Sequence, residues 1–401
     1  PIFGTSVALI SHDMGVIAAM ADRVLVMRHG EFSEQGAADD IFYRPQHDYT
    51  RMLLHAMPRI DRPEREGRPA LKRLPSEPKI LLAADNIKVY FPVRAGGGLF
   101  PNYKPLRAVD GVSFTLHEGE TLGVVGESGC GKSTLARAVM KLLPAQGRVA
   151  WCGRDLTAAS QDDIRALRKD LQIVFQDPLA SLDPRMTIGE SIAEPLRSLE
   201  PGLAKSEIAA RVRAMMEKVG LDPAWINRYP HEFSGGQNQR VGIARAMVIA
   251  PKLIVCDEAV SALDVSIQAQ ILDLILSLQA EYGLSLIFIS HDLSVVRQVS
   301  HRVMVLYLGR VVELAPREAI YTQAQHPYTK SLIAAVPVPD PRAERAKPRR
   351  AHLGDLPSPL DTRAALTFLK SKLIDDPDAE QYAPRLIETS PGHFVAEHDP
   401  A

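Results

Sequence analysis
The residues with the clearest chemical purpose are Gly126, Glu127, Ser128, Gly129, Cys130, Gly131, Lys132, Ser133 and Thr134. They fit the pattern GxxxxGK[ST], whose glycine-rich backbone can turn successive N–H groups toward a polyphosphate. In such a loop Lys132 reaches the β- and γ-phosphates of a triphosphate, and the Ser133 hydroxyl ligates Mg²⁺. Further on, Leu253-Ile254-Val255-Cys256 is an apolar run that ends in two acids, Asp257 and Glu258. Acids at the end of a buried strand lie beside a bound nucleotide, because ligands of open α/β sheets gather there. Asp257 is placed to hold Mg²⁺, and Glu258 to polarise an attacking water.

These groups need a frame. An apolar run from Thr121 to Val125 precedes the glycine loop and a helical pattern from Leu135 to Leu143 follows it, so the loop joins a strand to a helix. Leu171 to Phe175, Leu253 to Cys256 and Leu284 to Ile289 read as buried strands. Gln161 to Asp170 and Ile267 to Tyr282 read as helices. Alternation of this kind predicts an α/β fold with a mainly parallel sheet. Ile80 to Ala83, Ile87 to Phe91 and Gly111 to Leu116 are strand-like, with an irregular segment from Arg94 to Pro105 between them. Between Gln176 and Ser234 the sequence predicts a mostly helical insert. In its helix Ser206 to Val219, Ile208, Val212, Met215, Met216 and Val219 share one face and read as core.

Totals narrow the class. Lys and Arg number 47 against 48 Asp and Glu, so no net positive field calls for nucleic acid. No run of about twenty apolar residues is present, nor a basic-then-apolar leader, so neither a membrane span nor secretion is expected. Cys130, Cys152 and Cys256 are scattered and odd in number, which suits a reducing compartment better than a disulfide framework.

The chain also repeats itself. Ser11-His12-Asp13 returns as Ser290-His291-Asp292, and Gly30, Glu34, His47, Tyr49, Thr50 and Pro58 return as Gly309, Glu313, His326, Tyr328, Thr329 and Pro337. The offset is constant (290 − 11 and 337 − 58 both give 279). A period this long marks duplication of a whole domain. The expected organisation is a C-terminal remnant of a first domain at 1–58, a linker at 59–79, a complete domain at 80–340 and an extension at 341–401. Arg59, Arg62, Arg65, Arg68, Lys72 and Arg73 give the first linker its basic character, and 341–350 reads as a second basic linker.

Phe233-Ser234-Gly235-Gly236-Gln237 resembles the signature sequence of ABC ATPases. Gln176 in VFQDP resembles their Q-loop, Ser261-Ala262-Leu263-Asp264 their D-loop, and His291 their switch histidine. Taken singly these stretches are common; in this order they are specific. The resemblance covers residue 80 to about 337 and implies a P-loop NTPase of the ABC type with an antiparallel β subdomain and a helical insert. Within that family the wording VGESGCGKST, SALD and Gln325-His326-Pro327-Tyr328-Thr329 is similar to oligopeptide/dipeptide importer subunits. The tandem, microcin C-type form fits the duplicated tail.

The resemblance further implies that two such domains sandwich two ATPs, with Ser234, Gly235, Gly236 and Gln237 contacting the nucleotide of the partner domain. Gln176 would sense Mg²⁺ and the γ-phosphate, His291 would contact the γ-phosphate or the water, and Asp264 would shape the dimer contact. Phe91 is expected to stack on adenine, with Tyr90 as second choice. Implied partners are two transmembrane permease subunits, through them a solute-binding protein, and a second ATPase domain (a missing upstream half or another copy). The implied place is the cytoplasmic face of the inner membrane. The other class considered is a soluble tandem ATPase acting on ribosomes; the short, proline-broken linker argues against its long charged arm. Three positions depart from the family: Phe233 for leucine, Asn238, and Ala259 for proline. Gly354 to Leu360 and Pro391 to Ala396 resemble the importer extension, yet no cysteine lies between Asp361 and Ser390, and Glu397 follows Ala396. Thiolates hold iron–sulfur clusters, so none is expected.

Overall fold
The computed structural model describes residues 5–61, 69, 71–94, 103–347, 357–358, 360–375 and 382–400. Its strands, in chain order, are β1 (Arg23–Arg28), β2 (Glu31–Ala37), β3 (Ile80–Arg94), β4 (Tyr103–His117), β5 (Thr121–Val125), β6 (Gln146–Trp151) and β7 (Arg154–Asp155). They continue with β8 (Leu171–Val174), β9 (Leu253–Asp257), β10 (Ser285–Ile289), β11 (Arg302–Tyr307), β12 (Arg310–Pro316), β13 (Leu386–Ser390) and β14 (His393–Ala396).

The central sheet runs β13-β14-β12-β11-β5-β10-β9-β8. Five neighbours, β11, β5, β10, β9 and β8, are parallel. Every residue of β5, β9 and β10 is buried. This is why they read as unbroken apolar runs, since crossover helices cover both faces of a parallel sheet. A smaller antiparallel sheet, β4-β3-β6-β7, lies on one side and shares a core with the helix Lys132–Val139.

Several boundaries differ from the sequence expectation. The runs Ile80–Ala83 and Ile87–Phe91 are one strand, broken in register but not in direction between Ala84 and Ile87, with Asn86 at φ +50° absorbing the bulge. Tyr103, Lys104 and Pro105 belong to β4, where they pair with Arg94, Val93 and Pro92; the rest of the expected irregular segment, 95–102, lies outside the described residues. The stretch 341–350 was expected to be linker. Pro341–Ala346 is instead a helix, capped by the Asp340 carboxylate on the N–H groups of Arg342 and Ala343; residues 348–350 lie outside the described set. Arg62, Arg65 and Arg68 of the first linker also lie outside it.

The insert is helical. Ile188–Leu199 opens with a capping box between Thr187 and Glu190, and Lys205–Lys218 buries Ile208, Val212, Met215 and Met216. The hairpin β13–β14 from the C-terminal extension adds to the edge of the central sheet through β12. Among the described residues no helix is long and apolar enough to cross a membrane.

Candidate functional site
The glycine loop leaves β5 at Val125 and enters the helix Lys132–Val139. Its course demands glycine at two places. A Cβ on Gly126 would lie 2.3 Å from the Leu306 carbonyl oxygen, and one on Gly131 would lie 2.0 Å from that of Ala108. Both residues also have positive φ, +149° and +103°. The loop is thus pressed between β4 and the β11–β12 turn. Lys132 is buried and folds back over it, donating to the carbonyls of Gly126 at 2.8 Å and Glu127 at 3.0 Å. An ammonium held there by neutral carbonyls fits a polyphosphate, whose oxygens would offer it far stronger partners.

Ser133 Oγ donates to Asp257 Oδ1 at 2.6 Å. Burial pushes the Asp257 carboxyl up from its ordinary range, while the Ser133 hydroxyl, Arg137 and Lys132 pull it back. Two hard oxygens converging on one point fit Mg²⁺, which takes few protein ligands and completes its shell with phosphate and water. Among the described residues no group of three His, Cys, Asp or Glu gathers to hold a metal by itself.

Glu258 sits one residue past β9 at φ +50°, with its N–H bonded to the Ile289 carbonyl. Its Oε2 accepts Gln176 Nε2 at 3.1 Å and lies 3.4 Å from His291 Nδ1, while Oε1 lies 4.0 Å from Lys132 Nζ. Three elements thus bring Gln176, His291 and Lys132 to one carboxylate. Gln176, also considered for the metal, donates to Glu258 and not to the Ser133–Asp257 pair.

Ser234 and Gln237 form a reciprocal capping box that opens the helix Gly235–Met247. Ser234 and Gly235 are exposed. Gly236 is fixed by packing, because a Cβ there would come within 2.4 Å of Ile267. Asp264 caps the neighbouring helix Val265–Tyr282 through the N–H of Ile267. Among the described residues no hydrogen bond or ion pair joins this surface to Gly126–Thr134. The departures from the usual signature are accommodated. Phe233 packs edge-on against Trp225 at 5.7 Å, and the buried Asn238 amide donates to the carbonyls of Pro230 and Phe233.

Of the two aromatic candidates, Phe91 is half-buried against the apolar core of the β subdomain. Tyr90 is more exposed, and its hydroxyl donates to Asp110 at 2.5 Å. The Asp110 N–H donates to the Gly309 carbonyl, and the Gly309 N–H donates to the carbonyl of Cys130 in the loop. Sequence reasoning missed Tyr328, whose hydroxyl accepts the Glu127 N–H at 3.2 Å. Neither its place in the repeat nor its place in Gln325–Thr329 points to this bond. A cleft of about 240 Å³ opens beside Gln176, lined by Phe175, Pro178, Glu194 and Arg245 among others.

Comparison with known proteins follows the same lines. The family described as ABC transporter matches residues 109–261. The family described as the C-terminal region of oligopeptide/dipeptide transporters matches twice, at 33–86 and 312–361. The oligopeptide transport ATP-binding protein OppF of Salmonella typhimurium is 55% identical over 320 residues, 79% of this chain and 96% of that protein. The glutathione import ATP-binding protein GsiA of Escherichia coli is 46% identical over 412 positions, which span 98% of this chain but 63% of GsiA. The solved dimeric cassette MJ0796, bound to ADP and phosphate, superposes with a TM-score of 0.52 at 28% identity, over 59% of this chain and 99% of that one. With the phosphate loop, the acid pair and the helical insert in place, the chain belongs to the ABC transporter ATP-binding proteins of the oligopeptide/dipeptide type.

Proposed function
We propose that the domain at 80–340 binds ATP and Mg²⁺ at Gly126–Thr134 and hydrolyses the ATP, and that this powers import of peptides or peptide-like solutes. Backbone N–H groups and the N-terminus of the helix Lys132–Val139 receive the phosphates, with Lys132 on the β- and γ-oxygens. Ser133 and Asp257 would hold Mg²⁺, which when bound draws the phosphate oxygens together and offsets their charge. Glu258 takes the proton of the attacking water, and Gln176 and His291 hold that carboxylate in place. Ser234, Gly235, Gly236 and Gln237 offer a hydroxyl and a helix N-terminus to the nucleotide of a second ATPase domain, beside the Asp264 turn. Tyr90 or Phe91 provides the adenine face.

The observation that carries this reading is the convergence of Gln176, His291 and Lys132 on the Glu258 carboxylate. Its test is Glu258→Gln, which keeps the shape and removes the base. ATP should stay bound while hydrolysis falls roughly 10²–10⁴-fold. Normal turnover in that variant would remove Glu258 from the mechanism.

The names of the OppF and GsiA relatives support transport over a ribosomal role. The cleft beside Gln176 is the surface we assign to the two membrane permease subunits, which in turn meet a solute-binding protein; this sets the chain at the cytoplasmic face of the inner membrane. The constant-offset repeat, the doubled match of the C-terminal family and the partial span of GsiA support a tandem protein whose first ATPase domain is represented by its tail. The second half of the ATP sandwich is then that upstream domain or another copy. The absence of cysteine beyond Cys256 supports an extension without an iron–sulfur cluster.

A further inference from the structure
Beneath the phosphate loop lies an aromatic cluster that the reaction above leaves unused. Tyr328 is 2% exposed, and its ring packs at 4.7 Å from Tyr307, the last residue of β11. Phe368, from the C-terminal extension, sits 6.1 Å from Tyr328, 5.3 Å from Tyr307 and 5.1 Å from His326. The extension is anchored nearby. His393 of β14 meets the fully buried Glu313 at 2.7 Å, and the same carboxylate accepts the N–H groups of Gln325 and His326, just before Tyr328.

Tyr328 meets the loop at a telling bond. The peptide between Gly126 and Glu127 gives its N–H to the Tyr328 hydroxyl, and its carbonyl oxygen accepts Lys132 Nζ. One peptide plane is therefore held from both sides, by the phenol below and by the phosphate-binding lysine above. Losing the lower bond frees that plane to rotate, and with it the carbonyl that sets the lysine's position. Burial raises the Tyr328 phenol above its ordinary range, so the hydroxyl stays neutral.

We propose that Tyr328 is a positioning residue for the phosphate loop, and that the C-terminal extension sets ATP affinity through it by way of Phe368. This rests on the assignment of Gly126–Thr134 to ATP. The two can fail separately.

The test is equilibrium binding of ATP with Mg²⁺, together with steady-state hydrolysis, on the 401-residue chain. Tyr328→Phe keeps the ring and deletes one hydrogen bond. It should weaken ATP binding and raise KM about 3- to 10-fold, with kcat within about twofold of wild type. Phe368→Ala should act in the same direction. Added to Tyr328→Phe, it should cost no further affinity, since both act through one bond. Lys132→Ala is the control and should lose ATP affinity on the order of 100-fold or more. If Tyr328→Phe binds ATP as wild type does while Lys132→Ala does not, the positioning role is overturned and the site stands. If Lys132→Ala binds normally, the assignment of the loop falls and the positioning role falls with it. Fully additive losses would overturn the route through Phe368, and a fall in kcat with unchanged KM would overturn positioning of the bound nucleotide.

Discussion

Residues 14–56 and 293–335 carry the same local plan in two different surroundings. Helix Met14–Met20 corresponds to Leu293–Val299, β1 to β11, β2 to β12, and Asp48–Ala56 to Pro327–Ala335, all at the repeat's offset. Even the register break recurs, between Val26 and Met27 in one and Val305 and Leu306 in the other. Asp13 and Asp292 cap their helices in the same way. What differs is the strand beside them. β11 lies between β5 and β12, whereas β1 pairs only with β2 among the described residues. Met304 and Leu306 are 0% and 1% exposed; their counterparts Leu25 and Met27 are 45% and 51% exposed. Local sequence is enough to specify these helices and strands. Their burial, and the chemistry at their ends, depends on the strand that leads into the phosphate loop.

The largest expected effects test whether chemistry follows that strand. Lys132→Ala should reduce ATP affinity on the order of 100-fold or more, because the phosphate charge loses its fixed counter-charge. Residues 1–79 contain no second GxxxxGK[ST] stretch. The paired histidines sharpen the point. His291 reaches Glu258, while His12 is exposed and has no carboxylate partner among the described residues. His291→Ala should slow hydrolysis about 100-fold, and His12→Ala should leave the rate as it was. Equal losses from both would show that the two copies share one site.

Next in size is packing. Met304→Ala removes a fully buried side chain and should cost about 2–5 kcal/mol in urea unfolding. Leu25→Ala, at the equivalent exposed position, should stay within about 0.5 kcal/mol. A large loss at Leu25 would mean that the β1 edge is covered in solution, and would break the contrast directly.

How much of this could be read from the residues follows the same division. The phosphate loop, Asp257-Glu258, Gln176 and His291 were legible because each is a short motif, and the strands that position them are unbroken apolar runs. The helix around Met215 and Met216 was legible from its period. Strand β3 read as two pieces because Asp85 and Asn86 interrupt its apolar pattern, while cross-strand pairing with β4 carries it through the bulge. Pro341–Ala346 read as linker because its charges and proline hid a capped helix. Tyr328 was visible as a repeated residue, but its bond to Glu127 spans 201 positions, and no local pattern encodes that. Tyr49 repeats Tyr328 without a described phosphate loop beside it; Arg28, in the place of Tyr307, lies over its ring instead.

The smallest effect concerns the histidines that begin the two equivalent helices. His326 Nδ1 accepts the N–H of Tyr328, and His47 Nδ1 accepts that of Tyr49, each as a helix cap. An imidazole that accepts at Nδ1 must be neutral there. His47 is exposed, whereas His326 is 2% exposed, and burial, aided by His398 and Lys330, pushes its pKa down to about 3. Below the ordinary value of 6.5 the unfolded chain takes up a proton that the folded chain refuses. The stability contributed by His326 is therefore complete above about pH 6.5 and is lost as pH falls toward 3, at roughly 1 kcal/mol per pH unit. His301, also lowered by burial, adds a loss of the same sign, so the comparison must be made between variants and not on wild type alone. Asparagine can cap a helix without titrating. Between pH 7.5 and pH 5, His326→Asn should lose about 1–2 kcal/mol less stability than wild type in urea unfolding. If His326→Asn is as acid-sensitive as wild type, the buried cap is not what acid unseats.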